Sequence, residues 1–173
     1  MPRDKTLRGA AVLVALAACA AASQAQFVDP NPDWKEVEVA PPALKTDKLV
    51  PIEIRRGTVM RWGVDPASIS IAADGVVRYV VVAQGDAGAI NALYEGLRCS
   101  TGEVKVYARS SGDQWVPARD AEWRPLHGNA AALHSLAIAR DGACIGHGPN
   151  RSPVQIARDL GRSHDQRFRT ELR

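Results

Sequence analysis

A chain of 173 residues, 46% apolar and 24% charged, has the length and composition of one globular domain rather than a disordered or polytopic protein. Its 22 Lys and Arg nearly balance 19 Asp and Glu, and three cysteines are too few for a disulfide-dense miniprotein. These totals exclude classes of protein without supplying a reaction.

The first 25 residues read as a secretory signal peptide and not as part of the fold. Arg3, Lys5 and Arg8 form a positive n-region, residues 10–22 are apolar on every side, and Ser23-Gln24-Ala25 supplies a small-residue cleavage site. The apolar run is shorter than the ~20 residues a spanning helix needs. Within it, Leu16-Ala17-Ala18-Cys19 resembles the lipobox of bacterial lipoproteins. Two destinations therefore stay open: soluble release into the periplasm after Ala25, or an outer-membrane lipoprotein anchored at Cys19. Only the second puts the protein on a membrane. Removing residues 1–25 leaves 19 bases against 18 acids. The remainder has no basic run with interleaved aromatics, so the electrostatic footprint of nucleic-acid binding is missing. The charged tail, 162–173, mixes Arg162, Arg167, Arg169 and Arg173 with Asp165 and Glu171 and reads as a solvated end.

Beyond the leader only Cys99 and Cys144 remain. An even count in an oxidising compartment predicts one disulfide between them. The alternative of a metal or redox site lacks a Cys-x-x-Cys pair, and His147 three residues after Cys144 has no second pair to complete it. No cofactor is expected. Asp29, Asn31 and Asp33 imitate the start of a calcium loop, but Trp34 stands at the required glycine and Ala40 at the bidentate glutamate.

Residues 26–48 read as a proline-rich linker with one docked tryptophan, and 49–161 as a single domain. Val50, Ile52 and Ile54 alternate around Pro51, which suits an edge strand. Ser68-Ile69-Ser70-Ile71 and the run Val76 to Ala83 flank Asp74-Gly75, a strong hairpin signal. The second run is apolar on both faces apart from Arg78, as a central strand should be. After a turn at 85–88, residues 89–99 suit helix or strand, with Gly96 weakening the helix. Glu103 to Arg109 alternates as a strand, Ser111-Gly112-Asp113 turns it into Gln114-Trp115-Val116, and Glu122-Trp123-Arg124 follows. Asn129 then caps a helix with Ala130, Leu133, Leu136, Ala137 and Arg140 at helical spacing and Gly142 as its C-terminal stop. Ser152-Pro153-Val154-Gln155 opens a second helix, through Ile156 and Leu160 to Gly161, with a capping box. The expected class is α+β: a mainly antiparallel sheet followed by two short C-terminal helices, with one disulfide.

None of the standard catalytic motifs is present: no nucleophile elbow, phosphate loop, zinc-protease helix or dinucleotide fingerprint. Of the histidines, His127 reads as a loop residue and His134 as one on a helix surface. Glu95, Glu103 and Glu122 are acidic groups that a fold can bring together. Trp62, Trp115, Trp123, Tyr79, Tyr94 and Tyr107 lie on or beside strands and read chiefly as core.

Trp34-Lys35-Glu36, Tyr79-Val80-Val81-Val82, Tyr94-Glu95-Gly96-Leu97-Arg98-Cys99, Tyr107-Ala108, Trp115-Val116 and Trp123 together resemble the cryptic neisserial protein family, exported proteins of Gram-negative bacteria. The resemblance covers roughly residues 30–160, and Tyr-Glu-Gly-x-Arg-Cys is its most specific stretch. It implies export, a family role that is uncharacterised, and strand for residues 90–99; it carries over no catalytic residue. The resulting expectation is a non-enzymatic periplasmic domain that binds an envelope protein or a small ligand, with Glu95 and Arg98 as binding candidates. The alternative is an enzyme whose site forms around Glu95, Arg98 and a histidine.

Overall fold

The computed structural model describes residues 31–54 and 59–162; the expected leader with Cys19, and His164 near the end of the sequence, lie outside them. Period-two alternation yields strands β1 (Val50–Ile52), β2 (Arg61–Val64), β3 (Ser70–Ile71) and β4 (Val77–Gln84). They are followed by β5 (Ile90–Arg98), β6 (Glu103–Ser111), β7 (Gln114–Pro117) and β8 (Arg124–Pro125). All pairings are antiparallel, in the order β1-β2-β4-β5-β6-β7, with β3 sharing one edge of β4 with β2 and β8 sharing the outer edge of β6 with β7. Then come α1 (Leu133–Ile138), the small hairpin β9 (Cys144–Ile145) and β10 (Gly148–Pro149), and α2 (Pro153–Leu160). This is the expected α+β arrangement. Among the described residues no helix is long and apolar enough to cross a membrane.

Local chemistry accounts for the strands. Gly75, at φ +74°, makes the turn of the β3–β4 hairpin, which pairs Ser70 with Arg78 and Ile71 with Val77. β4 is buried from Val77 to Ala83, as a strand apolar on both faces must be. Residues 90–98 are strand, and Gly96 is there for a close approach: a Cβ at this position would lie 2.8 Å from Cε2 of Tyr107 and from Cγ1 of Val76. Pairing of β5 with β6 slips between Tyr94 and Glu95, opposite Ala108 and Val106, so Tyr107 is the extra residue of a β-bulge.

The helical region departs from the sequence expectation. Asn129 does cap it, its Oδ1 accepting from the Ala131 amide, but the segment is a 3-10 turn at Ala130–Ala132, then α1, then a π-turn at Ala139–Ala143. Gly142 is no left-handed stop. It lies inside the π-turn where a Cβ would meet Leu160 Cγ at 2.9 Å and the Ile156 carbonyl at 3.0 Å, so its lack of a side chain lets α2 close in. The second capping box is half formed. Ser152 Oγ accepts from the Gln155 amide, while the Gln155 side chain donates to Asp159 and not back to the cap.

Helices cover one face of the sheet, here called the front. Val64, Val77, Val81 and Leu97 meet Ala137, Ile138, Ile156 and Leu160 there. The Cys99–Cys144 disulfide, with Cα atoms 5.7 Å apart, ties the end of β5 to the start of β9 on this side. The back face, with Val80, Val82, Ala92, Tyr94 and Ala108, is covered by the linker region, whose Leu44 and Leu49 pack against it. Residues 31–48 lie across it as a strap. Trp34 Nε1 donates to the Asp74 carbonyl at 2.8 Å, the Val37 amide to Asp74 Oδ2 at 2.8 Å, and Trp115 Nε1 to the Pro42 carbonyl at 2.7 Å. Arg78, the one charge in β4, is 1% exposed; it donates to both Asp74 oxygens and, at 2.7 Å, to the Val37 carbonyl. Lys105 pairs with Glu36 at 2.8 Å.

Two expectations follow for stability. Replacing Cys99 and Cys144 together by alanine frees a loop of 45 residues in the unfolded chain, and a urea titration should show a loss of about 4 kcal/mol. The strap should make the fold acid-sensitive. Burial works to raise the Asp74 carboxyl, but hydrogen bonds from Arg78 and the Val37 and Val76 amides, with the Arg78 charge, hold it below the usual range. Burial likewise opposes, and Lys105, Tyr107 and Trp123 outweigh it, at Glu36, which also lies low. Groups depressed in the folded state stabilise it above their unfolded values, and that contribution is lost as pH falls through the folded ones. The melting temperature should therefore hold from pH 7 to about 5 and fall below about pH 4. Asp74→Asn should lower it at pH 7 and flatten the acid slope.

Candidate functional site

Glu95 is 1% exposed, on the front face of the sheet beside Tyr79, its cross-strand partner. A carboxylate at this depth is tolerated only if donors replace water. Three do so. The Tyr79 hydroxyl and Ser135 Oγ each donate to Oε2 at 2.9 Å, and His134 Nε2 lies 2.9 Å from Oε1. Burial, then the Glu95 charge and the hydrogen bond to it, push the Tyr79 hydroxyl well above its ordinary range, so it stays a donor.

His134 is thus not the helix-surface residue its sequence position suggested. It is buried, and its ring stacks on Trp62 at 4.2 Å with the planes 8° apart. The signal was present: residue 134 falls three before Ala137 and four before Ile138, on the stripe that α1 turns toward the sheet.

Arg98 is elsewhere. Strand side chains alternate between faces, and a spacing of three from Glu95 sends Arg98 to the back. There its guanidinium carbon lies 3.8 Å over the Trp34 ring, and Nη1 is 3.9 Å from Glu103 Oε2. The structure brings together Glu95 and a histidine and separates both from Arg98. Glu103 accepts from Thr101 Oγ1 at 2.6 Å, and Glu122 is exposed. His127 and His147 are exposed as well.

Beside the Glu95 network the front face of β5, β6 and β7 is left open by the helices, forming a cleft of about 600 Å3. Glu95, His134, Ser135 and Trp62 line it on the helix side, and Leu93, Val104, Val106 and Val116 form its apolar floor. Arg109, Arg119, Asp120, Glu122 and Arg124 stand around it, the last four on the chain from β7 to β8. The volume is in the range of small-molecule sites. Chemically, the polar cluster is arranged to hold its own carboxylate. Ser135 Oγ donates to Glu95 and not to His134, so this hydroxyl is not set against the imidazole as a nucleophile against its base. Among the described residues no group of three His, Cys, Asp or Glu could hold a metal ion. The back face has a second hollow, of about 490 Å3, between the strap and Tyr107, Trp115 and Lys105. Of the aromatics read as core, Tyr79 and Tyr94 are buried, Trp62 borders the cleft, and Tyr107, Trp115 and Trp123 are half-buried.

The CNP1-like family matches residues 29–161, which takes in the strap, the sheet and both helices; the chain belongs to that family. Cryptic neisserial protein 1 of Neisseria gonorrhoeae (strain ATCC 700825 / FA 1090) is 29% identical over 98 residues. That match spans 49% of this chain and 48% of the relative, about half the relative's length. No solved structure matches.

The cluster predicts a graded response in urea titrations. Glu95→Gln turns an acceptor of three donors into a group with an N–H facing one of them, and should cost about 2–3 kcal/mol; Tyr79→Phe, which leaves two donors in place, should cost about 1 kcal/mol.

Proposed function

We propose that the protein is an exported, non-enzymatic domain of the bacterial cell envelope that holds a small ligand or a segment of a partner in the front cleft. The leader pattern at 1–25 supports export, and a disulfide suits an oxidising compartment. The observation that carries binding over catalysis is the state of Glu95. All three neighbouring polar side chains are turned onto its carboxylate, while the apolar floor beside it stays open. Such a constellation sets a rigid wall for a cleft.

A second reading is an acid–base enzyme using Glu95 and His134; the 2.9 Å contact at the cleft wall favours it. Anchoring at Cys19 would change the address of either activity and not its chemistry.

Two measurements test the proposal. The mass of the protein recovered from the envelope should correspond to a chain starting at Gln26; an acylated chain starting at Cys19 would establish the anchored form, and an intact leader would overturn export. Titrating an envelope extract into the 15N-labelled protein should move amide signals of β5, β6 and β7 around the cleft. Shifts confined to the back face would overturn the choice of site. Turnover of an extract component that ceases in His134→Gln, with cleft binding retained, would replace the binding reading by the enzymatic one.

A further inference from the structure

From the distribution of charge over apolar surface in this cleft, we infer that its ligand is a small amphiphilic anion, an acyl-carboxylate type of molecule with its head at Arg109. The inference rests on the binding reading above and specifies the ligand's chemistry. Arg109 is the anomaly. It stands on β6 with Leu93 of β5 opposite on one side and Val116 of β7 on the other, so a guanidinium interrupts an otherwise apolar floor. Neither Arg109 nor Arg119 or Arg124 has an ion-pair or hydrogen-bond partner for its side chain among the described residues. Arg78, by contrast, is supplied by the fold with Asp74 at 2.6 Å.

The carboxylates of the lining, Glu95, Asp120 and Glu122, equal the three guanidiniums in number, so position and not net charge selects the ligand. Glu95 is turned onto its three donors, Asp120 and Glu122 are exposed on the chain between β7 and β8, and Arg109 stands within the apolar floor. The floor asks for a hydrocarbon: Val116 is half exposed, and Val104 and Val106 continue the apolar strip along β6 away from Arg109. An anionic head at Arg109 would place a chain of methylenes along that strip. Arg pairs with a carboxylate through two parallel hydrogen bonds, a geometry that neither an alcohol nor an ammonium reproduces.

Three probes share one apolar body and differ in the head: octanoate, octanol and octylammonium. In amide-shift titrations of the 15N-labelled protein, octanoate should bind at least tenfold more tightly than either of the others, perturbing Leu93, Val106, Arg109 and Val116. Arg109→Gln should remove most of that preference, with the melting temperature confirming an intact fold, and Arg151→Gln, outside the cleft, should leave it unchanged. Added salt should weaken octanoate and leave octanol alone. Equal binding of octanol, or tighter binding of octylammonium, would overturn the anion. Should no probe bind while an envelope extract still moves the cleft amides, the ligand class falls and the cleft stands. Should octanoate perturb only the back face around Tyr107 and Trp115, both fall.

Discussion

A single buried carboxylate organises the front of this protein. Glu95 is placed at the centre of the sheet by the register of β5 against β4, and a charge there must find donors or cost several kcal/mol. The donors come from two directions: Tyr79 from the neighbouring strand, and His134 with Ser135 from α1. The helix is thereby held to the sheet by more than apolar contact, and it is held in one position. Four residues further along the chain, just past β5, the disulfide fixes the other end of the same helical region. With both ends tied, the uncovered part of β5, β6 and β7 has a fixed shape, and the cleft follows from it.

The back face repeats this arrangement with the opposite sign. Arg78 pairs with Gly96 and Tyr79 with Glu95, so Arg78 and Glu95 lie one rung apart in the sheet and point to opposite sides. Arg78 is met by Asp74 of the hairpin turn and by the Val37 carbonyl of the strap. On each face the covering segment completes the surroundings of a buried charge: the strap gives Arg78 a carbonyl and sets Trp34 against Arg98, and α1 gives Glu95 two of its three partners. A sheet with apolar residues on both sides is in this way told which segment belongs on which face.

Membership of the CNP1-like family spans both coverings, from the strap to α2. The bulge at Tyr107 links them. The extra residue lets Tyr107 lie over Gly96 on the back while Val106 and Arg109 face the cleft. A glycine in the Tyr-Glu-Gly-x-Arg-Cys stretch thus serves the back face, and the glutamate beside it serves the front.

Much of this was legible in the chain because it depends on near neighbours. Alternation marked β4 as central, Asp-Gly marked its hairpin, Asn129 and Ser152 marked helix starts, and the pair of cysteines beyond residue 25 marked the disulfide. The pairing of Glu95 with His134 was not, since 39 residues separate them and only the docking of α1 brings them together. Nor was the separation of Glu95 from Arg98 until residues 90–98 were known to be strand: on a helix a spacing of three shares a face, and on a strand it does not. Periodicity and caps act within a few residues and can be read from the sequence. Which carboxylate meets which donor, and which part of a sheet stays open, is decided by how elements far apart in the chain pack, because burial is a property of the assembled fold.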